Sequence, residues 1–275
     1  MPSRSPSGAD PIRGPRPDGA AGADAPRAAR PSCPGRRLTG ATRRVFRAVS
    51  PHLDDAVLSC GLLLAGNPGS RVTTVFASGP AHVDPLTEWD RASRLFHDGD
   101  DVISARRREE ARAAAILGAV SEPLEFWDSQ YRYDERFRYA GPTGQDLLDA
   151  VERELARIAE EDPVDAWLVP LGLGHDDHRL TARAALAAAT KSGVDCYVYQ
   201  DLPYALERAE ETREQLEALE SKGLRFVPDA SLCSSEERSL KREAVRCYRS
   251  QRRGLGRRAR RAIRGPEQFL RLDAR

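Results

Sequence analysis

The chain has 275 residues, and its 43 lysines and arginines against 42 aspartates and glutamates give a formal net charge of +1. This balance argues against a dedicated nucleic-acid coat protein. The longest apolar stretch, residues 56–66, has roughly half of the ~20 residues that a membrane-spanning helix needs, which excludes a membrane-spanning role. The five cysteines are scattered without a CxxC pair, and no apolar signal core follows the first charges. We therefore expect a cytoplasmic protein with reduced thiols.

Residues 1–40 differ in composition from the rest of the chain. They hold 8 of the 19 prolines, 6 glycines and 7 arginines, and few large apolar side chains. Such a segment cannot bury enough apolar surface to offset the entropy lost on ordering, so the composition predicts a disordered tail. Residues 41–275 are predicted to form a single domain that ends in a basic segment, with seven arginines between residues 252 and 264.

From residue 45 onward, short apolar runs alternate with helical patterns. The predicted strands cover 45–49, 72–76, 124–127, 166–169 and 196–199. The predicted helices cover 56–65, 102–117, a segment from the capping-box pattern at Thr143 to Ile158, 181–190 and 205–221, with a further helix starting at Ser234. The polar stretch 79–101 is long for a loop in a compact domain, which indicates a binding role. The alternation predicts an α/β, Rossmann-like three-layer sandwich with a mostly parallel central sheet.

Two clusters of histidine and aspartate each follow a predicted strand. The first is Pro-His-Leu-Asp-Asp at 51–55, and the second is Gly-His-Asp-Asp-His at 174–178. Ligands of open α/β sheets bind outside the carboxyl ends of the strands, so the clusters are placed to face each other across one crevice. Two imidazoles and one carboxylate suit Zn²⁺ and leave a fourth position for water, as in catalytic zinc sites. The alternative is that the aspartates cap helices and the histidines lie on the surface.

These motifs resemble those of the LmbE-like (PIG-L) zinc-dependent N-deacetylases, which act on N-acetylglucosamine-type sugars. The resemblance runs from about Val45 to Tyr248. It includes Arg106 and Glu109, Asp128 in Trp-Asp-Ser-Gln-Tyr, and Tyr-Arg-Ser-Gln at 248–251. Together with the two clusters, these segments imply the fold and the chemistry of that family.

The resemblance assigns roles to five residues of the two clusters. It implies that His52, Asp55 and His178 hold Zn²⁺. It makes Asp54 the general base for the attacking water. His175 is then the group that stabilises or protonates the developing tetrahedral species.

Outside the clusters, the resemblance implies that Arg106 and Asp128 contact substrate hydroxyls. The sequence also departs from the family at two positions. Ala56 stands where an acidic residue often follows the aspartate pair, and Leu173 stands where some members have a tyrosine. The second departure leaves polarisation of the carbonyl more to the metal and to His175.

The leading hypothesis is a zinc-dependent hydrolase that removes an N-acyl group, in particular N-acetyl, from an amino sugar or glycoconjugate. One alternative is a zinc amidase of broader specificity. A second alternative is a non-catalytic protein that binds nucleic acid or an anionic surface through its arginine-rich ends, although the near-neutral charge argues against nucleic acid as a partner.

Overall fold

The structure, a computed structural model, describes residues 44–228 and 237–273. The chain divides into two units, Met1–Ala41 and Thr42–Arg275, and every described residue belongs to the second. The predicted tail at 1–40 lies outside the described residues, as does Ser234. No helix in the described ranges combines the length and the apolar composition needed to cross a membrane.

The described strands form one sheet in the order β3-β2-β1-β4-β5-β7-β6. The pairs from β3 to β5 are parallel, whereas β7 is antiparallel to both β5 and β6. Their bounds are β1 Phe46–Ser50, β2 Arg71–Thr74, β3 Val120–Pro123, β4 Ala166–Pro170, β5 Asp195–Tyr199, β6 Phe226–Pro228 and β7 Phe269–Leu272. The prediction of a mostly parallel sheet in an α/β fold is confirmed.

Helices cover both faces of this sheet. Their bounds are α1 Asp55–Gly66, α2 Glu88–Ser93, α3 Val102–Ile116, α4 Ser129–Arg132, α5 Gly144–Glu161, α6 Asp176–Ser192, α7 Ala209–Ser221, α8 Arg238–Cys247, α9 Arg249–Leu255 and α10 Arg257–Arg264. Side chains alternate across a strand, so each central strand contributes to two apolar cores. In β4, Leu168 packs with the core under α1, α3 and α8, whereas Trp167 and Val169 pack with the core under α5 and α6.

The predicted strand at 124–127 is wrong, because the strand is β3, directly before it. Val120 is 48% exposed, as an edge strand permits, so β3 lacks the apolar run by which a buried strand is recognised. Within β3, Glu122 pairs with Arg47 and Arg71 instead. Phe126 packs on the second core from outside the sheet. The side chain of Thr143 also makes no capping hydrogen bond to α5.

Candidate active site

The two predicted clusters meet at one edge of the sheet. Strands β1 and β4 are parallel neighbours, so the segments that follow them leave the sheet on the same side. The ring centroid of His52 lies 4.9 Å from that of His175 and 5.3 Å from that of His178. Two segments far apart in sequence therefore form a single group of imidazoles and carboxylates.

Asp55 joins the two segments. Its Oδ2 lies 3.3 Å from Nδ1 of His52 and 3.3 Å from Nε2 of His178. Although burial disfavours its charge, the imidazoles of His178 and His52 hold the pKa of Asp55 well below its usual value. Burial also lowers the pKa of His178, but the carboxylates of Asp55 and Asp201 outweigh this effect and raise it to about 9. The group therefore stabilises an ionised carboxylate between two imidazoles.

A second carboxylate orients each of these imidazoles from its far side. Nε2 of His52 donates to Oδ2 of Asp177 at 3.1 Å, and Nδ1 of His178 donates to Oδ1 of Asp201 at 2.8 Å. Asp177 is itself held by the buried guanidinium of Arg132. These bonds hold a proton on Nε2 of His52 and on Nδ1 of His178. Nδ1 of His52 and Nε2 of His178, which face Asp55, are therefore the atoms that would give up their protons to bind a metal ion. Such carboxylate–histidine pairs are typical of metal-binding histidines.

The donor atoms of this group fit a divalent metal ion. Nε2 of His178 is buried and makes no hydrogen bond to any described residue. A buried ring nitrogen without a hydrogen bond is costly, and an ion held between it and Oδ2 of Asp55, 3.3 Å away, would satisfy both atoms. With Nδ1 of His52 and Oδ2 of Asp55 beside it, the set is the two-histidine, one-carboxylate arrangement that suits Zn²⁺.

Other combinations of side chains in the site are less suited to holding a metal. Two groups place their ligand atoms within 4.8 Å of one another: His52 with His175 and His178, and His52 with Asp128 and Asp177. Asp177 already accepts from Arg132 and from His52. The ring of His175 makes no hydrogen bond to the described part of the chain. It packs against the rings of His178 at 4.7 Å and His52 at 4.9 Å, which leaves its nitrogens open to a substrate.

Asp54 has an unusual backbone conformation, with φ 130° and ψ −28°. This left-handed region favours glycine, so a side chain there is strained. Asp54 does not cap α1 with its side chain. Ser50 takes that place, since its Oγ accepts from the N–H of Ala56 at 2.9 Å. Burial first, and then the carboxylates of Asp55 and Glu110, raise the pKa of Asp54 well above its usual value, which makes it a stronger base than an exposed carboxylate.

The site opens into a cavity of about 530 Å³, within the range of small-molecule sites. Its lining combines the site group with residues from α2, α4 and the C-terminal helices. The lining residues are His52, Asp54, Asp55, Trp89, Asp128, Ser129, Gln130, Tyr133, His175, Asp176, Pro203, Tyr204, Gln251, Leu255 and Arg258. A ligand in this cavity therefore touches both predicted clusters.

The two residues expected to contact substrate hydroxyls occupy different places. Asp128 lines the cavity, and its Oδ1 lies 4.0 Å from Nε2 of His52. Arg106 is buried and does not line the cavity; its Nη2 pairs with Oδ1 of Asp90 at 2.8 Å. Asp128 therefore lies where a ligand in the cavity could reach it, whereas Arg106 contacts α2; contact with substrate hydroxyls stays a prediction for both.

Sequence reasoning assigned no role to the residues that support the site from outside the two clusters, although Glu109 and the segment 248–251 belong to the family resemblance. The Nε2 of Gln251 donates to the carbonyl oxygen of Leu53. The carboxylate of Glu109 accepts from the backbone N–H of Ser250 at 3.1 Å and from its Oγ at 2.6 Å. Helix α3 therefore fixes the start of α9, and α9 in turn supports the strained turn beside Asp54. Asp201, which orients His178, was also missed. Its position just after β5, at the sheet edge where the two clusters lie, was the one signal in the sequence that could have identified it.

Comparison with known proteins agrees with this geometry. The family model for GlcNAc-PI de-N-acetylase (PIG-L) matches residues 47–189, just over half of the chain. A 2'-N-acetylparomamine deacetylase from Streptomyces fradiae is 35% identical over 74% of this chain and 72% of the relative. One of the same name from Niallia circulans is 29% identical over 78% of this chain and 82% of the relative.

Solved structures of deacetylases share the fold. A zinc-inhibited form of teicoplanin deacetylase has a TM-score of 0.63 and 27% identity, and the match covers 82% of this chain and 96% of that one. A deacetylase–teicoplanin complex has a TM-score of 0.61 and 26% identity, with the same coverage of 82% and 96%. The resemblance inferred from the two motifs is thus confirmed: the chain belongs to the PIG-L family and is a hydrolytic N-deacetylase.

Proposed function

We propose that the protein is a zinc-dependent deacetylase that removes the acetyl group from an N-acetylated amino sugar within an antibiotic-type glycoside. The observation that carries the metal assignment is the convergence of His52, Asp55 and His178, with each imidazole oriented by a further carboxylate. The similarity to 2'-N-acetylparomamine deacetylases supports the choice of substrate class. The scattered cysteines support a cytoplasmic location.

In this proposal Nδ1 of His52, Oδ2 of Asp55 and Nε2 of His178 hold the zinc ion. When bound, zinc supplies a Lewis acid that polarises the acetyl carbonyl and makes water more acidic. Asp177 and Asp201 keep the two imidazoles in the required tautomers. Their role is to position the ligands rather than to touch the substrate.

Asp54 moves the proton in the proposed reaction. Its buried carboxylate, with its raised pKa, accepts a proton from the attacking water while the water oxygen bonds to the acetyl carbon. The C–N bond then breaks, and the proton held by Asp54 passes to the departing nitrogen. The products are acetate and a free amine.

His175 acts as a neutral hydrogen-bond donor. Burial and the neighbouring imidazoles of His52 and His178 lower the pKa of His175 to about 4, so the ring is uncharged near neutral pH. Because the ring makes no hydrogen bond to any described residue, an N–H remains available for the carbonyl oxygen as negative charge develops there. Asp128 is placed in the cavity to accept from a ring hydroxyl.

The test combines metal analysis with turnover. Purified protein should contain about one zinc per chain and should release amine from 2'-N-acetylparomamine, the substrate that names its relatives. Because a related deacetylase has a zinc-inhibited form, zinc is titrated from below to above one equivalent. Chelation should abolish activity, and added zinc should restore it.

Two variants separate the ligand role from the base role. Asp54→Asn should keep the metal and lose turnover, whereas His178→Ala should lose the metal itself. Asp149→Asn is the matched control, because among the described residues this half-buried carboxylate on α5 accepts a side-chain hydrogen bond from Gln145 alone and lies outside the cavity. Full activity in Asp54→Asn, or unchanged metal content in His178→Ala, would contradict these assignments.

A further inference from the structure

Trp89 is a large aromatic side chain left open to the cavity. It lies on the short helix α2, within the long segment that the sequence marked for a binding role, and it is 37% exposed. Its indole rests on the backbone of α9. A Cβ added at Gly254 would lie only 2.6 Å from Cη2 of Trp89. The glycine therefore lets the indole approach α9 closely and face the cavity.

A buried ion pair fixes the helix that carries Trp89. The neighbouring residue, Asp90, is fully buried and pairs with Nη2 of Arg106 at 2.8 Å. The hydroxyl of Tyr131 donates to the same carboxylate at 3.1 Å, and Oγ1 of Thr87 lies 2.8 Å from it. A six-residue helix has little stability of its own, so this anchor on α3 and α4 determines where Trp89 stands. Arg106 is thus a positioning residue for Trp89.

In the described part of the chain, Trp89 makes no hydrogen bond, ion pair or ring contact with the metal-ligand group, although His52 and Asp55 line the same cavity. From His52 the contacts run through Asp128 to Gln130, whose Oε1 is 2.7 Å from Oγ1 of Thr87, the residue that caps α2. Trp89 packs on Gly254 of α9. Gly254 is three residues beyond Gln251, which contacts the turn at Leu53. That spacing is about one helical turn, or roughly 5 Å. A ligand that contacts both His52 and Trp89 therefore spans the cavity from the end of β1 to α2.

A second aromatic residue lines the same cavity. Tyr133 follows α4 and is 65% exposed, and its ring lies 5.1 Å from the guanidinium of Arg132. Aromatic faces bury large apolar area and, at a wet site, suit ligands with both apolar and polar surface. A sugar or cyclitol ring has such a surface, with C–H groups on its face and hydroxyls at its edge.

We propose that Trp89 and Tyr133 form a subsite for a second ring, the one joined to the N-acetylated sugar, and that the Asp90–Arg106 pair positions this subsite. The inference rests on the proposed deacetylase function and adds to it the residues that bind the second ring. Trp89 binds the second ring and does not act on the acetyl group.

The experiment compares a one-ring with a two-ring substrate, N-acetylglucosamine and 2'-N-acetylparomamine. Trp89→Ala should lower kcat/KM for the two-ring substrate about tenfold, the size of a lost aromatic contact, through KM rather than kcat. The same variant should leave kcat/KM for the one-ring substrate unchanged. Trp89→Phe should keep most of the preference, because it keeps a ring.

Gly254→Ala tests the position of the indole without weakening α9, because alanine favours helix more than glycine does. Its Cβ must displace Trp89, so the variant should show the same loss, confined to the two-ring substrate. Tyr139→Ala is the matched control, since this aromatic residue packs on Trp127 outside the cavity and should leave both substrates unaffected.

Three outcomes would overturn the inference. Equal losses on both substrates in Trp89→Ala would mean that Trp89 only supports the catalytic group. No loss on either, or a wild-type preference for the one-ring substrate, would mean that no second ring binds there. Wild-type protein that is loaded with zinc and deacetylates neither substrate would reject the proposed function itself, which distinguishes that failure from the others.

Discussion

Replacing Asp201 by asparagine tests whether the buried carboxylates tune the metal site. Oδ1 of Asp201 accepts from Nδ1 of His178 at 2.8 Å, and Oδ2 accepts from the backbone N–H of Gly172 at 2.9 Å. Asparagine has a single acceptor oxygen, so it satisfies only one of these donors. If the oxygen stays with Gly172, the amide group turns its N–H atoms toward His178. The imidazole then loses its orienting partner and becomes a weaker ligand.

The size of the effect follows from the contact that is lost. Removing a carboxylate that orients a metal-binding histidine costs about 10- to 100-fold in metal affinity. This corresponds to roughly 1.4–2.7 kcal/mol, at 1.36 kcal/mol per tenfold step. The expected loss is smaller than that from deleting His178, because the ligand atom itself remains.

The assay is a competition between the protein and a chelator of known zinc affinity at constant pH. Asp165→Asn is the control, because this carboxylate accepts from the N–H of Val45 at 2.6 Å, at the opposite end of β1 from the site. Circular dichroism establishes that both variants are folded. A folded Asp201→Asn protein with wild-type zinc affinity would refute the proposed role of Asp201 and weaken the case for His178 as a ligand.

Three further changes concern stability. Burial raises the pKa of Glu110 from 4.5 to about 7, so the folded state binds this proton more tightly than the unfolded state does. The urea midpoint should therefore decrease as the pH is raised from about 4.5 to about 7. Glu110→Gln should remove up to about 3 kcal/mol of this pH dependence of the free energy of unfolding. Lys241 and Glu267 form a buried ion pair at 2.7 Å, so Lys241→Met should destabilise the protein by about 3 kcal/mol in urea unfolding, whereas adding Glu267→Gln should recover part of the loss. Ser50→Ala removes the side-chain cap of α1 and should cost about 1 kcal/mol in the same assay. A difference in unfolding free energy between wild type and Glu110→Gln that does not change with pH would contradict the first assignment. Losses below about 0.5 kcal/mol in Lys241→Met or Ser50→Ala would contradict the other two.

The sequence predicted the parts of the site that lie in short motifs of neighbouring residues. The segments 51–55 and 174–178 each contain several ligand-type residues and each follow a buried apolar strand, so their position at strand ends followed from the hydrophobic pattern. Their convergence requires β1 and β4 to be neighbours. Strand order is a tertiary property, so the rule for ligand sites of open α/β sheets could only suggest that the two segments share one crevice. The family resemblance then supplied the assignment of His52, Asp55 and His178 to one ion.

The remaining parts depend on neighbours that no local pattern shows. Asp201 orients His178 only because β5 lies next to β4. Arg106 was expected to contact substrate, but its guanidinium pairs with Asp90, a residue within a segment that read only as a polar loop. Strand β7 follows an arginine-rich helix and has four residues, too few for its alternation to stand out. These features became visible only in the packed structure.

At Asp54, the residue that would favour stability differs from the residue that the proposed reaction requires. With φ at 130°, glycine would relieve a cost of about 1–3 kcal/mol there while deleting the proposed base. A library of variants screened only for heat resistance should therefore accumulate glycine at this position and fill with well-folded, inactive proteins. Stabilising this scaffold for practical use requires that residue 54 be held constant while the rest of the chain is allowed to change.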